Sequence, residues 1–188
     1  MIIPIVAYGT PVLKQMAQEI SADYPDLKSL IENMFETMYE ASGVGLAAPQ
    51  IGKSIRLFIV DGSPFADEDA DMEGFRKVFI NPTLLEESGE EWNFNEGCLS
   101  IPSVREDVSR QAKIRIRYQD EDFNTYEEEY EGTKARIIQH EYDHIEGVLF
   151  TDYLSAIKKR LLKGKLNDIA KGKVKVDYRM KFPLKKGR

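Results

Sequence analysis

The sequence predicts an α+β fold: short antiparallel strands packed around a central helix, with one helix N-terminal to them and another at the C-terminal end. Three observations carry this reading. The stretch from Asp23 to Ala41 has helical periodicity, and Lys113 to Tyr118 alternates with a period of two. Helical segments also do not alternate regularly with strands, as a parallel α/β sheet requires. At 188 residues, 42% of them apolar and 31% charged, the chain is expected to form a single domain over 1–188 with its own core.

Ile5 to Pro11 reads as an extended entry and a turn. Leu27, Leu30, Ile31, Met34, Phe35 and Met38 follow the spacing i, i+3, i+4, i+7, i+8, i+11, one face of a helix. Pro25 suits its first turn and Gly43 its stop. Gly43 to Gln50 holds two glycines and two alanines, a tight helix-to-strand turn that a ligand or another strand can approach closely. No Lys-Ser/Thr pair follows, so it is no phosphate loop. Ile55 to Val60 reads as a strand ended by Asp61-Gly62, Asp67 to Glu73 as an exposed acidic loop, and Val78 to Ile80 as a strand stopped by Asn81-Pro82. Ile114, Ile116 and Tyr118 alternate with Lys113, Arg115 and Arg117, and Thr125 to Tyr130 returns as a hairpin.

Thr133 is expected to cap a helix running to Glu146, with Gly147 as its stop. Ile138, Tyr142 and Ile145 share one side of it, and Ile137, Glu141 and His144 another, so this is the central helix. A last helix is expected from Ser155 to Ala170, with Leu154, Ile157, Leu161 and Ile169 spaced for packing. Gly172 ends it, and Val174 and Val176 alternate with lysines as an edge strand.

The rarest residues carry the chemistry. The chain has two histidines, His140 and His144, and one cysteine, Cys98. Positions four apart on a helix lie one above the other, so the two imidazoles can meet one metal ion. Glu141 is too near in sequence to share that geometry and is placed to move a proton beside it. A catalytic site of this type takes three protein ligands and leaves a position open. No histidine follows His144, and the one glutamate after Glu141 is Glu146, too near to swing round. Asp152, Asp168 and Asp177 stay open as third ligands, but none sits in a motif. Cys98, in Glu96-Gly97-Cys98-Leu99-Ser100, is the better candidate, because thiolate suits zinc or ferrous iron. Gln50 offers an amide that can donate to an oxyanion.

One cysteine makes no internal disulfide, no run of about 18 apolar residues is present, and the N-terminus lacks a basic stretch before an apolar one. A cytoplasmic protein with no membrane partner is expected. The net charge of −6 is uneven: Lys158 to Arg188 carries 13 Lys and Arg against Asp168 and Asp177, a block of +11 on a body of −17. Such a block marks either an anionic partner or a solvated basic helix and tail.

Three segments in order, Gly43-Val44-Gly45-Leu46-Ala47-Ala48-Pro49-Gln50, Glu96-Gly97-Cys98-Leu99-Ser100 and Gln139-His140-Glu141-Tyr142-Asp143-His144, together resemble the peptide deformylases. Tyr8-Gly9-Thr10-Pro11-Val12-Leu13 is similar to the family's opening, and the resemblance spans about residues 1 to 150. Asp67 to Glu73 looks like an insertion, and the basic end lies where the family varies. With this resemblance, the single domain expected over 1–188 is a catalytic one, with 158–188 as its basic helix and tail. It implies removal of the formyl group from the N-terminal formylmethionine of new polypeptides, with release of formate. It further implies Cys98, His140 and His144 as ligands of one divalent metal ion, commonly ferrous iron, with zinc or nickel as substitutes. Glu141 is then the general base and acid, and Gln50 and the Leu99 N–H stabilise the oxyanion. Gly45 lines the substrate cleft, Arg105 lies near the substrate, and Glu96 orients a ligand. Val44 and Ile137 are candidates for the apolar pocket that takes the methionine side chain. Formylmethionyl nascent peptides are the expected partners, with the ribosome as a contact of the basic end and no DNA. Rival readings are a structural metal module, which needs a fourth protein ligand, an RNA-binding protein, and a metallopeptidase that cuts internal bonds.

Overall fold

The computed structural model describes residues 1–184; Lys185, Lys186 and Arg188 of the expected basic tail lie outside the described residues. The chain runs β1 (Ile5–Val6), α1 (Leu27–Glu40), β2 (Gly45–Ala47), β3 (Leu57–Asp61), β4 (Arg76–Cys98), β5 (Ile101–Gln119), β6 (Thr125–Glu131), α2 (Gly132–Ile145), α3 (Ala156–Ala170) and β7 (Met180–Lys181). Strands β2-β3-β4-β5-β6 form one antiparallel sheet in that order, and β1 and β7 pair in parallel as a second. This is the α+β architecture the sequence predicts.

Helix α1 buries the predicted stripe, Leu27, Leu30, Ile31, Met34, Phe35 and Met38. Pro25 is not in its first turn. It precedes the N-cap Asp26, whose φ of 56° makes the chain turn sharply into the helix. Gly43 closes the other end, its N–H donating to Met38 O at 2.9 Å. The Gly43 to Gln50 segment is more than a turn: Gly45–Ala47 pairs with β3, and a 3-10 turn follows over Ala48–Ile51. Strand β3 starts at Leu57 rather than Ile55, which instead bridges to Gln18. The acidic loop is exposed, as expected, apart from Met72, which is fully buried and anchors it.

The largest departure is at Asn81-Pro82. The expected stop is a bulge, and β4 continues to Cys98 because β5 pairs with it along its length. Asn81 takes the left-handed conformation, φ 48°, which Asn tolerates. Its side chain donates to Ile20 O (2.7 Å) and Gln119 Oε1 (2.9 Å) and accepts from Ile20 N (2.9 Å). Strand β5 likewise extends the predicted Lys113–Tyr118 segment back to Ile101; its even positions Val104, Val108, Arg110, Ile114, Ile116 and Tyr118 face inward and are buried.

Helix α2 starts at Gly132, with Glu131 as N-cap and no side-chain cap, so Thr133 does not cap it. It lies against the sheet, burying Ala135, Ile137, Ile138 and Ile145 with the stacked Phe58–Phe79 pair (4.7 Å between centroids). Each such aliphatic side chain contributes about 1.5–3 kcal/mol by leaving water. Gly147 then takes φ 74° and ends the helix. In α3 the Ser155 hydroxyl accepts from Lys158 N at 3.3 Å, an N-cap. The buried stripe of α3 runs through Leu166, Ile169 and Ala170, with Leu162 packed beside it, and Leu154 is buried just before the helix. Ile157 (74% exposed) and Leu161 (78%) do not pack. Only the C-terminal half of α3 is covered, so an apolar residue one position off the stripe faces solvent. Val174 and Val176 form no strand. The pairing falls to β7, through Ile5↔Met180 and Val6↔Lys181, so the tail returns to the N-terminal strand.

Candidate metal centre

Cys98 is the last residue of β4, while His140 and His144 stand one turn apart on α2. Among the described residues these three form a cluster whose ligand atoms all lie within 4.8 Å of one another. Cys98 Sγ is 3.3 Å from His144 Nε2, the separation expected of two donors each about 2.0–2.3 Å from one cation. Of the alternatives left open, Asp152 accepts from Leu149 N at 2.8 Å, Asp177 lines the cleft without joining the cluster, and Asp168 lies on α3.

A buried charge network holds this cluster from behind. Glu96 is 3% exposed and accepts from Arg110 Nε (2.7 Å), Arg110 Nη2 (3.1 Å) and Arg136 Nη1 (3.0 Å). Its Oε2 is 2.9 Å from His140 Nδ1, which leaves the far ring nitrogen of His140 for the cluster. Burial works against the Glu96 charge, but hydrogen bonds from His140 and Arg110 outweigh it and hold the carboxyl well below the usual carboxylate range. Arg110 also reaches Asp143 Oδ2 at 2.8 Å, and Arg136 is tied to Val108 O and Trp92 O, both at 2.6 Å.

Burial drives the His144 imidazole to its neutral form, the form that donates to a metal. For His140 burial is outweighed by the Cys98 and Glu96 bonds, which raise its pKa above the usual histidine range. The Cys98 sulfur and the Glu96 carboxylate together thus favour a positive charge at this spot. The residues fit a divalent cation: one soft sulfur donor, two imidazoles and a field that attracts positive charge.

Glu141 is 4% exposed, and its Oε2 is buried with no hydrogen-bond partner among the described residues. Burial pushes its carboxyl up to about 7. Gly45 of β2 faces it so closely that a Cβ there would lie 2.7 Å from the Glu141 carboxyl carbon. Gln50, 1% exposed, is oriented by Ala47 N–H, which donates to its Oε1 at 2.8 Å. Its Nε2 makes only long contacts, 3.5 Å to Cys98 Sγ and 3.4 Å to Ser100 Oγ. The amide therefore keeps donor capacity toward the cluster.

A cleft of about 690 Å³ opens over these groups. Val44, Gly45, Gln50, Glu96, Cys98, Leu99, Arg105, Ile137, His140 and Glu141 all line it, and His144 sits behind Cys98. Arg105 is at its rim, where its Nε donates to Asn95 Oδ1 at 2.9 Å; it crosses Gly97 so closely that a Cβ there would lie 2.7 Å from its Nη1. Sequence reasoning missed Arg110, Arg136, Asp143, Ser100 and Tyr178. For Arg110 a signal existed: it is a charge at an inward position of an alternating strand. Nothing local marked the others.

The sequence profile of the family described as polypeptide deformylase matches residues 2–160. The peptide deformylase of Christiangramia forsetii is 59% identical, covering 97% of this chain and 97% of the relative. That of Flavobacterium psychrophilum is 58% identical over 99% of this chain and 100% of the relative. Among solved structures, a peptide deformylase from Legionella pneumophila superposes with a TM-score of 0.80 at 35% identity, covering 92% of this chain and 98% of that one. The chain belongs to the polypeptide deformylase family, the metal-dependent hydrolases that remove the N-formyl group from newly made polypeptides.

Proposed function

We propose that Cys98, His140 and His144 hold one divalent cation per chain, ferrous iron in the cell with zinc or nickel as substitutes, and that Glu141 carries the proton transfers of deformylation. The observation that supports this best is the unpartnered, buried Glu141 Oε2 beside the three-donor cluster. When bound, the cation supplies Lewis acidity to a water molecule and to the formyl oxygen. Glu141 takes a proton from the attacking water and returns it to the leaving nitrogen. Water's oxygen bonds to the formyl carbon, the carbon–nitrogen bond breaks, and formate and a free amine result. Gln50 Nε2 and the Leu99 N–H donate to the oxygen that gains charge, each such donor being worth about 2.7–4 kcal/mol in comparable sites. Val44 and Ile137 take the methionine side chain, Gly45 presents its backbone to the substrate, Arg105 holds the peptide beyond it, and Glu96 keeps His140 oriented.

Metal analysis of anaerobically purified protein, paired with formate release from a formylmethionyl peptide, tests the reading. One metal ion per chain and formate release are expected. Cys98→Ala is expected to lose both together, because two imidazoles leave the donor set incomplete. Full occupancy with normal activity in that variant removes Cys98 from the ligand set.

We further propose that residues 1–188 act as one catalytic domain in the cytoplasm and that the basic end docks it on the anionic ribosome. Among the described residues no helix is long and apolar enough to cross a membrane. Arg160, Lys163 and Lys171 are exposed, whereas Lys175 lines the cleft and is unsuited to the test. Reversing the first three to glutamate should weaken co-sedimentation with ribosomes while leaving cleavage of a short formyl-peptide unchanged. Wild-type binding should fall steeply with salt, as counterion release requires. Equal binding by the variant removes the proposal.

A further inference from the structure

Leu99 and Ser100 make the two-residue turn between β4 and β5, whose flanking residues Cys98 and Ile101 pair. Tight hairpins of this length favour turns with positive φ at one or both central residues, because those match the strand twist. Neither Leu99 nor Ser100 has a positive φ, and the register shifts immediately before them, between Gly97 and Cys98. The turn is therefore not one of the positive-φ types that such hairpins favour. It is held from outside, at both of its carbonyls. Tyr8 N–H donates to Ser100 O at 2.8 Å, and the Tyr178 hydroxyl donates to Leu99 O at 2.7 Å. Both donors come from the small sheet, Tyr8 two residues after β1 and Tyr178 two residues before β7. That sheet is closed by Ile5 N–H to Arg179 O and Ala7 N–H to Lys181 O, both at 2.9 Å. The Tyr178 ring is half-buried and packs with Leu99 and Met180 against the α1 core, so its oxygen has a defined place. It also lines the cleft. Tyr178 lies beyond the residues that the family's profile matches, 2–160.

We infer that Tyr178 is a positioning residue for deformylation: by holding the Leu99 carbonyl it sets the orientation of the Leu99 turn and so aims the Leu99 N–H at the formyl oxygen. This rests on the reading of the Leu99 N–H as an oxyanion donor. The donor matters most when the oxygen carries charge, so a loose turn lowers kcat and kcat/KM together and leaves KM in place. A contact that merely shaped the cleft wall would change KM instead.

Tyr178→Phe keeps the ring and removes the hydroxyl. Its kcat is expected to fall about tenfold, since misplacement by about 1 Å can cost about a hundredfold. KM and metal content should stay at wild-type values, and Tm should drop by no more than about 2–4 °C, the scale of one hydrogen bond in a chain of this size. An amide-to-ester replacement at Leu99, which deletes its N–H, separates the inference from the reading beneath it. The ester protein should also lose kcat, and adding Tyr178→Phe to it should cost less than about twofold more, because both changes act through one donor. Normal kcat in the ester protein overturns the reading of Leu99, and this inference with it. A slow ester protein beside a Tyr178→Phe variant with normal kcat, or with raised KM alone, overturns the inference and leaves Leu99 as the donor. Fully additive losses in the double variant also overturn it.

Discussion

At the scale of single residues, Glu141 and Gly45 decide most. Glu141 is buried, and one of its oxygens has no partner among the described residues, an arrangement that costs stability unless a ligand or water completes it. Glu141→Gln removes the proposed proton carrier but none of the three proposed metal donors. Metal content should be unchanged while formate release falls by about 10²–10⁴, the usual worth of a positioned acid–base group. Gly45→Ala acts on the same carboxyl group. Its Cβ would press on the Glu141 carboxyl group, 2.7 Å from the carboxyl carbon, and displace it from its place beside the cluster. A loss of at least about tenfold in kcat/KM is expected, with metal content retained; unchanged kinetics would show that the carboxylate can shift without consequence. The pairing of His140 with His144 was legible because helix geometry alone stacks residues four apart. The Arg110–Glu96–Arg136 network was not, since its members come from β5, β4 and α2 and meet only after folding.

At the scale of elements, Asn81 tests how the long strand is built. Its side chain replaces backbone partners for both the N–H and the C=O of Ile20 while its own backbone takes φ 48°. Asn81→Ala leaves those groups unpaired and places a less tolerant residue in the left-handed region. A loss of about 2–3 kcal/mol in urea unfolding is expected. Asn81→Asp keeps the acceptor and should cost less. The turn signal at Asn81-Pro82 was a correct local reading, but ending the strand there was wrong. A bulge absorbs the turn, and pairing with β5 restores the ladder at Thr83. Helix α3 shows the opposite failure. Its start at Ser155 was legible, but its buried stripe depends on which surface the rest of the chain presents.

At the scale of the whole molecule, strands β1 and β7 meet beside the Cys98–His140–His144 cluster. Strand β7 supplies the partner of β1, and the segment before it brings Tyr178 to the Leu99 turn. A chain shortened to residues 1–172 should still bind metal, because Cys98, His140 and His144 lie in the sheet and α2. It should lose more activity than Tyr178→Phe, and its Tm should fall further, as the Ile5 and Ala7 N–H groups lose their acceptors and the α1 core loses the packing of Met180. Activity and Tm equal to those of the full chain would show the tail to be idle.

The sequence by itself determined what short-range covalent geometry controls. The 3.6-residue period places His140 beside His144 and buries one stripe of α1, and the two-residue period of β5 sends Ile114, Ile116 and Tyr118 inward. Residue scarcity singled out Cys98. Tertiary structure alone decided the length of β4 and β5, the exposure of Ile157 and Leu161, the docking of the tail on β1, and the two arginines that hold Glu96. Each of these depends on a partner distant in the chain, and pairing energies between distant segments leave no periodic trace in either one.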